Sequence, residues 1–266
     1  MQESFREAWE ERYGEAPDFE NDPLAPFLRH RSVRRYTKEP IPETLERTLY
    51  AAAQSAATSS NLQLYSIIRI QAPERREKAA ILCNDQDQVR ECALFLAFVA
   101  DLYRLHEAAE QHGEPAEGIP STEFYTMACI DAALAAERLV TAAEAVGLGI
   151  CYIGGLRDDP RGVADLLRLP SLTFGLFGLC LGWPDPSLQA RIKPRLPQSS
   201  VVFDETYPPK PDLTAYNERM RAFYESERMR GDFTWTARSA RRAGKIALGS
   251  RAGQREFLDA QGLGTE

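Results

Sequence analysis

A dense basic segment at residues 27–36 is the part of the sequence whose residue types point most directly to chemistry. Five of its ten residues are Arg or His, although the chain as a whole carries a net charge of −7. Guanidinium groups this close together repel one another unless an anion lies between them, and the planar guanidinium binds phosphate through paired, charge-assisted hydrogen bonds. The segment therefore indicates either an anion site, phosphate above all, or a solvated basic turn that enters a helix.

A second basic cluster lies far downstream, where Pro194 separates Lys193 from Arg195. The proline ring restricts the backbone between the two cations, so their relative placement is defined. A fold that brought residues 193–195 to the segment at 27–36 would converge two cation clusters on one phosphate. The second cluster therefore favours the anion site over the solvated turn.

The composition is that of a compact globular chain: 44% of the 266 residues are hydrophobic and 27% are charged. Its acidic balance argues against nucleic-acid binding, and no apolar run approaches the roughly 20 residues that span a bilayer. The five cysteines form no C-x-x-C pair, which is typical of reduced thiols in a cytoplasmic protein. The three histidines are not spaced as metal ligands, so we expect no metal site.

Hydrophobic periodicity and helix-boundary residues predict alternating helices and strands between the two basic clusters. Helices are predicted over residues 41–57, 73–83, 123–146 and 160–167, and strands over residues 65–70, 94–100, 150–153, 174–181 and 200–203. Residues 103–121, with their glycines and prolines, indicate a mobile loop over a site. We expect an N-terminal arm at residues 1–26 and one domain at residues 27–266, which ends in a polar helical tail over 211–258.

The predicted helix over residues 123–146 is rich in alanine and has few charges. Such a helix is expected to be buried on more than one side, either at the centre of the domain or in a subunit interface. It ends at Gly147, a residue type that accepts the left-handed backbone of a helix C-terminus.

Motifs for other chemistries are missing or incomplete. Residues 147–152 begin like the G-x-G-x-x-G fingerprint of dinucleotide-binding folds, but Tyr152 replaces the last glycine. The segment also runs from a helix into a strand, the reverse of the order that the fingerprint needs. The acidic neighbours Asp204 and Glu205 are more typical of solvated charge than of an acid/base pair. Since no nucleophile with a positioned histidine stands out, we expect a bound cofactor to carry the chemistry.

Short blocks of this sequence resemble the nitroreductase family, in particular its oxygen-insensitive, NADPH-dependent nitroreductase and flavin reductase branch. The blocks occur in the family's order: H-R-S-V-R at 30–34, T-S-S at 58–60, S-I-I-R-I at 66–70, Gln86, Y-I-G-G-L-R at 152–157, L-F-G-L-C-L-G-W-P at 176–184 and K-P-R-L-P at 193–197. The resemblance implies an α+β fold with a central, mostly antiparallel sheet flanked by helices. It also implies an intertwined homodimer that binds FMN at the subunit interface, with residues 123–146 in the dimer core and residues 200–206 as an exchanged strand.

By the same resemblance, three groups of residues bind FMN. The phosphate and ribityl chain contact His30, Arg31, Ser32, Arg34, Lys193 and Arg195; the ribityl hydroxyls and ring edge contact Thr58, Ser59, Ser60 and Gln86; the segment Tyr152, Ile153, Gly154 and Gly155 lies beside the flavin ring. Glycine suits this last segment, because a backbone N–H can approach the flavin closely where no Cβ intervenes. Judged from the residues alone, Gly154 and Gly155 also fit a tight turn at a strand end.

The resemblance further implies a ping-pong, two-electron reaction in which the flavin, rather than a side chain, carries the chemistry. NADPH is the donor, and a nitroaromatic, a quinone or free flavin is the acceptor. The 2′-phosphate of NADPH is expected to contact Arg157, Arg228 and Arg230. Two acidic residues, Glu225 and Glu227, lie close to Arg228 and Arg230 in the sequence. Arg228 and Arg230 therefore also suit a solvated surface loop. Two other functions remain open: a dedicated free-flavin reductase and a non-enzymatic flavin-binding redox sensor.

Overall fold

The computed structural model describes residues 3–188, 190–209, 211–231 and 234–264. The chain divides into two compact units. Met1–Arg31 and Ala190–Gly249 form one, called here the arm unit, and Ser32–Gln189 and Ser250–Glu266 form the other, called here the sheet unit. The contacts thus group the chain differently from the expected arm at 1–26 and single domain at 27–266, an expectation that stays a prediction.

The helices and strands of the described residues follow one another in an α+β order. The strands are β1 Tyr65–Arg69, β2 Leu94–Asp101, β3 Gly149–Ile153 and β4 Thr173–Gly182. The helices are α1 Phe5–Tyr13, α2 Ala25–Leu28, α3 Glu43–Gln54, α4 Pro73–Leu82, α5 Asp87–Glu91, α6 Tyr103–His112, α7 Thr122–Ala145, α8 Pro160–Leu167, α9 Thr214–Ser226, α10 Trp235–Arg242 and α11 Gln254–Ala260.

The sheet unit is built on its four strands, which are all antiparallel and lie in the order β1-β2-β4-β3. All eight residues of β2 are buried, and from Leu94 to Phe98 their side chains alternate between two hydrophobic clusters. Leu96 and Phe98 face the cluster that contains α7, whereas Phe95 and Ala97 face the cluster that contains residues of α4 and α8. The strands predicted over 65–70, 94–100, 150–153 and 174–181 are confirmed, as is the mostly antiparallel sheet flanked by helices.

The long helix α7 covers one face of this sheet with small side chains. Ala128, Ala132 and Leu139 lie on its buried face, and alanine lets the helix backbone approach the strands closely. The Ser121 side chain accepts a hydrogen bond from the backbone N–H of Phe124 and caps the N-terminus. The helix predicted over 123–146 is therefore confirmed. So is its end, because Gly147 adopts the left-handed backbone with φ of 87°.

The arm unit begins with α1, which has well-formed ends. Ser4 and Glu7 form a capping box at its start, and Gly14, with φ of 82°, ends it. Phe5 and Ala8 are buried. In the same unit α9 packs Tyr216 and Phe223 into a small apolar cluster.

Residues 103–121 were predicted as a loop, and for the first half this is wrong. Residues Tyr103–His112 form α6, which ends at Gly113 with φ of 67°. Every glycine and proline of the segment lies at or after residue 113, so the chain-breaking residues mark only its second half.

Two predictions near the C-terminus also differ from the structure. The strand expected at 200–203 is absent from this described segment, because the N–H groups of Val201 and Val202 both donate to the backbone oxygen of Gln198 in a local turn. The helical tail expected over 211–258 is broken into α9, α10, a stretch of 3-10 helix over Lys245–Gly253, and α11. Gly231, with φ of 104°, lies in the break between α9 and α10, and Gly249, with φ of 55°, kinks the 3-10 stretch itself.

Among the described helices, none combines the length and the apolar character that crossing a bilayer requires.

Candidate functional site

Within the arm unit, the two basic clusters of the sequence come together around one side chain, Arg12 of α1. Its guanidinium donates hydrogen bonds to the backbone oxygens of His30, at 3.0 Å, and Lys193, at 3.4 Å. The backbone N–H of Arg195 in turn donates to the backbone oxygen of Arg12 at 2.9 Å. Three of the residues expected at the phosphate therefore have their backbones tied to one place in this unit.

Arg31, a fourth expected phosphate ligand, is held by acceptors of the chain itself. Its guanidinium donates to the backbone oxygens of Arg29, at 3.0 Å, and Ala190, at 3.2 Å, and pairs with the carboxylate of Glu3 at 2.9 Å. The hydrogen bond from Arg31 lowers the pKa of Glu3, which keeps this carboxylate ionised at neutral pH. Glu3 was not among the predicted site residues, because one carboxylate in an acidic N-terminal segment gives no signal of its own.

In the sheet unit, residues 32–34 run alongside β3. Ser32 forms a parallel bridge with Ile150, and the N–H of Val33 donates to the backbone oxygen of Ile150 at 2.8 Å. Gly149 permits this approach, since a Cβ there would lie 2.7 Å from the Val33 side chain. The side chain of Arg34 is exposed. Two more expected cofactor ligands, Ser32 and Arg34, thus lie beside the strand that leads to the expected ring-binding segment.

The expected ring-binding segment spans the end of β3 and the start of a 3-10 helix over Gly154–Arg157. Ile153 is buried, while Tyr152 is exposed and its hydroxyl donates to Glu137 at 3.2 Å. Desolvation of the covered part of the Tyr152 side chain, followed by the nearby Glu137 carboxylate, raises the pKa of Tyr152, so the hydroxyl keeps its proton for the hydrogen bond to Glu137.

Gly155 and Gln86, which the sequence analysis assigned to one cofactor, meet in the sheet unit. The Gln86 side-chain amide donates to the backbone oxygen of Cys83 at 2.7 Å. A Cβ on Gly155 would lie 2.6 Å from that oxygen and 2.8 Å from the Gln86 nitrogen. Glycine is therefore required here by packing, as well as being suited to a ring-binding role.

The segment that holds Thr58, Ser59 and Ser60 is fixed by Asp131 of α7. One carboxylate oxygen of Asp131 accepts from the N–H of Ser59 at 2.9 Å, and the other accepts from the N–H of Leu64 at 3.0 Å. Asp131 is fully buried. Its signal in the sequence is an acidic residue among the small apolar residues of the helix. Left-handed backbone occurs at three residues between these anchors: Ser60, Asn61 and Gln63, with φ of 50°, 57° and 53°.

Two arginines lie beside the expected ring-binding segment. Arg157, expected at the 2′-phosphate of NADPH, donates to the backbone oxygen of Leu176, and burial, then the charge of Arg251, lowers its pKa. Arg251 donates to the backbone oxygen of Gly154 at 3.0 Å and pairs with Asp158 at 2.5 Å. Arg251 was not among the predicted site residues, since nothing in its spacing distinguishes it from the other arginines of the polar tail.

The other two arginines expected at NADPH, Arg228 and Arg230, are exposed residues of the arm unit that follow α9. In the described part of the chain neither guanidinium has a hydrogen-bond or ion-pair partner, so both are available to an anion. Their assignment to NADPH stays a prediction.

One group of possible metal ligands also occurs on α6. His106, Glu107 and Glu110 offer ligand atoms within 4.8 Å of one another on a face that is partly exposed. The spacing of the histidines alone did not indicate this group. Exposed acidic groups of this kind are common without a metal, and no metal is assigned to it.

Comparison with known proteins decides the family. A model of the nitroreductase family matches residues 28–183, and a model of the C-terminal domain of the same family matches residues 193–266. The chain belongs to the nitroreductase family. Every residue that the sequence analysis assigned to FMN or NADPH lies within the two matched ranges, whereas α1 and Arg12 precede them.

Characterised relatives of this nitroreductase family member cover most of its length. The FMN reductase (NADPH) of Bacillus subtilis strain 168 is 38% identical over 81% of this chain and 89% of its own. The oxygen-insensitive NADPH nitroreductase of Salmonella typhimurium is 38% identical over 73% of this chain and 79% of its own. The solved structure of NfrA1 from B. megaterium aligns with a TM-score of 0.85 and 38% identity, over 92% of this chain and 100% of its own.

Proposed function

We propose that this protein is an FMN-dependent oxidoreductase that takes electrons from NADPH and delivers them to a small planar acceptor. A nitroaromatic, a quinone or free flavin fits this description. The observation that carries the proposal is the match to the nitroreductase family over most of the chain, with NADPH-dependent FMN reductases and nitroreductases among its relatives. The convergence of the basic residues in the arm unit supports it from the structure.

The chemistry of the donor set fits FMN. A phosphate monoester is dianionic, and Lys193 and Arg195 supply cations for it, while the His30 side chain supplies a hydrogen-bonding group. The backbones of these three residues are tied together around Arg12. Arg31, Ser32 and Arg34 complete the proposed phosphate and ribityl ligands, and Thr58, Ser59, Ser60 and Gln86 supply hydrogen-bonding groups for the ribityl chain and ring edge. Tyr152, Ile153, Gly154 and Gly155 are proposed to lie beside the flavin ring. When bound, FMN supplies the two-electron chemistry.

The chain's own residues would bind and orient the reactants. Cations near the phosphate hold the cofactor by charge, and the Gly155 position, packed against Cys83 and Gln86, fixes the backbone of the ring-binding segment. For NADPH, the exposed Arg228 and Arg230 are the proposed contacts to the 2′-phosphate. Arg157 is retained as a weaker candidate, because its guanidinium already donates to the Leu176 carbonyl.

A second candidate, a dedicated free-flavin reductase, is favoured by the similarity to the FMN reductase of B. subtilis. It differs from a nitroreductase only in the acceptor that the same site takes. The acceptor must therefore be determined by comparing rates.

The function is tested by purifying the protein and following NADPH oxidation with nitrofurazone, menadione and added FMN as acceptors. We expect a yellow protein with bound FMN and a higher kcat/KM with NADPH than with NADH. Since a charge-assisted contact contributes roughly 1.5–3 kcal/mol, the Arg228→Ala/Arg230→Ala double variant should lose on the order of ten- to a hundredfold with NADPH and little with NADH.

Each outcome of this experiment has a distinct meaning. Turnover with added FMN alone would identify the free-flavin reductase, and bound flavin without any NADPH oxidation would identify the redox sensor. A preparation that takes up no FMN would contradict the proposal. Equal losses with both nucleotides in the double variant would remove the two arginines from the 2′-phosphate site.

We propose further that the protein is a homodimer. On α7 the side chains of Ile130 and Leu134 are 51% and 44% exposed, although the opposite face of the helix is buried against the sheet. In the arm unit, Val202 and Tyr207 are 69% and 85% exposed in the segment that the sequence analysis expected to exchange with a partner. Apolar residues exposed in this number are typical of a surface that a partner covers.

Light scattering tests the dimer. We expect twice the 29.8 kDa mass of the chain, and a shift towards the monomer mass in Leu134→Asp, because a charge on that face opposes burial. Ile81→Asp is the control, since Ile81 is an apolar residue of α4 that is 57% exposed. A wild-type protein with the mass of one chain at micromolar concentration would contradict the dimer.

A further inference from the structure

The helix α1 contributes a buried arginine to the place where the two basic clusters meet. Arg12 is only 6% exposed. Its guanidinium donates to the backbone oxygen of Leu28 through two nitrogens, at 3.2 and 2.5 Å, as well as to the oxygens of His30 and Lys193. Its own backbone oxygen accepts from Arg195. One residue therefore fixes the backbone on both sides of the proposed phosphate site.

The guanidinium group is suited to this task for a geometric reason. Its N–H groups lie in one plane and point in fixed directions, so one side chain can hold three carbonyls from two distant segments in a defined arrangement. The peptide bonds of the described residues are trans, so a carbonyl that points at Arg12 turns the next N–H the other way. The His30 carbonyl thus directs the N–H of Arg31 away from Arg12.

The same N-terminal segment contacts the basic clusters a second time. Glu3 pairs with Arg31 at 2.9 Å and sets the direction of that guanidinium. The segment is ordered enough to do so, because α1 carries a capping box and buries Phe5 and Ala8. Yet α1 lies before residue 28, where the match to the nitroreductase family begins. The contact is therefore a feature of this chain that the family match does not account for.

We infer that Arg12 is a positioning residue for the FMN phosphate: it holds the backbones of His30, Lys193 and Arg195 so that their side chains face one anion. This inference rests on the FMN function proposed above. Arg12 acts through the backbone of these residues and not by touching the phosphate. The N-terminal segment was expected only to form an arm. Through Arg12 it also contributes to the affinity for the cofactor.

The test compares two ligands that differ only in the phosphate. Apo-protein is prepared, and the dissociation constants of FMN and riboflavin are measured by flavin fluorescence for the wild type, Arg12→Ala and Arg12→Lys. Arg6→Ala is the matched control, because Arg6 lies on the same helix and, within the described part of the chain, its guanidinium bonds to Pro17 and Glu20 rather than to either basic cluster. We expect Arg12→Ala to weaken FMN by about 10–100-fold, as for other residues that orient ligands, and to leave riboflavin unchanged.

The Lys variant separates geometry from charge and keeps the test informative if the Ala variant does not fold. Lysine retains the charge but cannot span three carbonyls, so most of the loss should persist in Arg12→Lys. Full recovery in Arg12→Lys, equal weakening of FMN and riboflavin, or no weakening of FMN would each overturn the inference while leaving the proposed function intact. A wild-type protein that binds neither flavin would overturn the proposed function itself.

Discussion

Replacing Gly155 with alanine is expected to destabilise the sheet unit and to weaken FMN binding together. The new Cβ would lie 2.6 Å from the backbone oxygen of Cys83 and 2.8 Å from the side-chain nitrogen of Gln86, closer than real Cβ contacts allow. The Cys83 oxygen belongs to the backbone and accepts a hydrogen bond from Gln86, so neither atom can move without breaking that bond. Overpacking of this kind costs about 1–3 kcal/mol.

The neighbouring glycine supplies the control for this prediction. A Cβ on Gly154 would lie 3.5 Å from its nearest neighbour, a guanidinium nitrogen of the flexible Arg157 side chain. This distance is an ordinary van der Waals contact. Both glycines lie in the same 3-10 helix, so the intrinsic effect of Gly→Ala on the backbone is matched. Urea unfolding and the FMN content of the purified variants measure the difference. Equal stability of the two variants would show that Gly155 is not constrained by packing.

Hydrophobic periodicity predicted the helices and strands whose type is determined by the local sequence pattern. The buried run of β2 and the alanine-rich α7 were both identified because each has the length and the apolar pattern of one kind of element. The helix α6 was missed because its polar residues resemble a loop, and only the position of Gly113 marks where the helix ends. The segment 201–203 has the composition of a strand, but a strand also needs a neighbour, which composition does not supply.

The candidate site shows the same limit. The cations at 30–34 and 193–195 could be predicted because several of them stand together in an acidic chain. Arg12 and Arg251 could not, because each acts through a contact with a backbone carbonyl distant in the sequence. Contacts of this kind depend on which distant segments the tertiary structure places side by side, and they cannot be predicted from the residue type alone. The most informative positioning residues were therefore those that only the structure revealed.

Replacing Asp131 with alanine is expected to have the largest effect on stability of any change considered. Its two carboxylate oxygens are the acceptors for the N–H groups of Ser59 and Leu64. Without them, these two N–H groups lose their partners beside a fully buried position, at roughly 1–3 kcal/mol each, or about 2–6 kcal/mol in all. The left-handed residues between them are themselves costly, and Asp131 is what holds the loop in that shape.

Unfolding in urea measures this cost, and Asp131→Asn refines its interpretation. Asparagine keeps one acceptor oxygen but presents an amide N–H₂ to the other backbone N–H, so it should lose about half as much as alanine. Asp165→Ala is the control, because Asp165 is exposed on α8 and should change the free energy of unfolding by less than about 0.5 kcal/mol. Because Thr58, Ser59 and Ser60 are proposed FMN contacts, both Asp131 variants should also bind FMN more weakly. A stable Asp131→Ala protein with wild-type FMN affinity would show that the loop keeps its conformation without the carboxylate, and that its left-handed backbone is set locally.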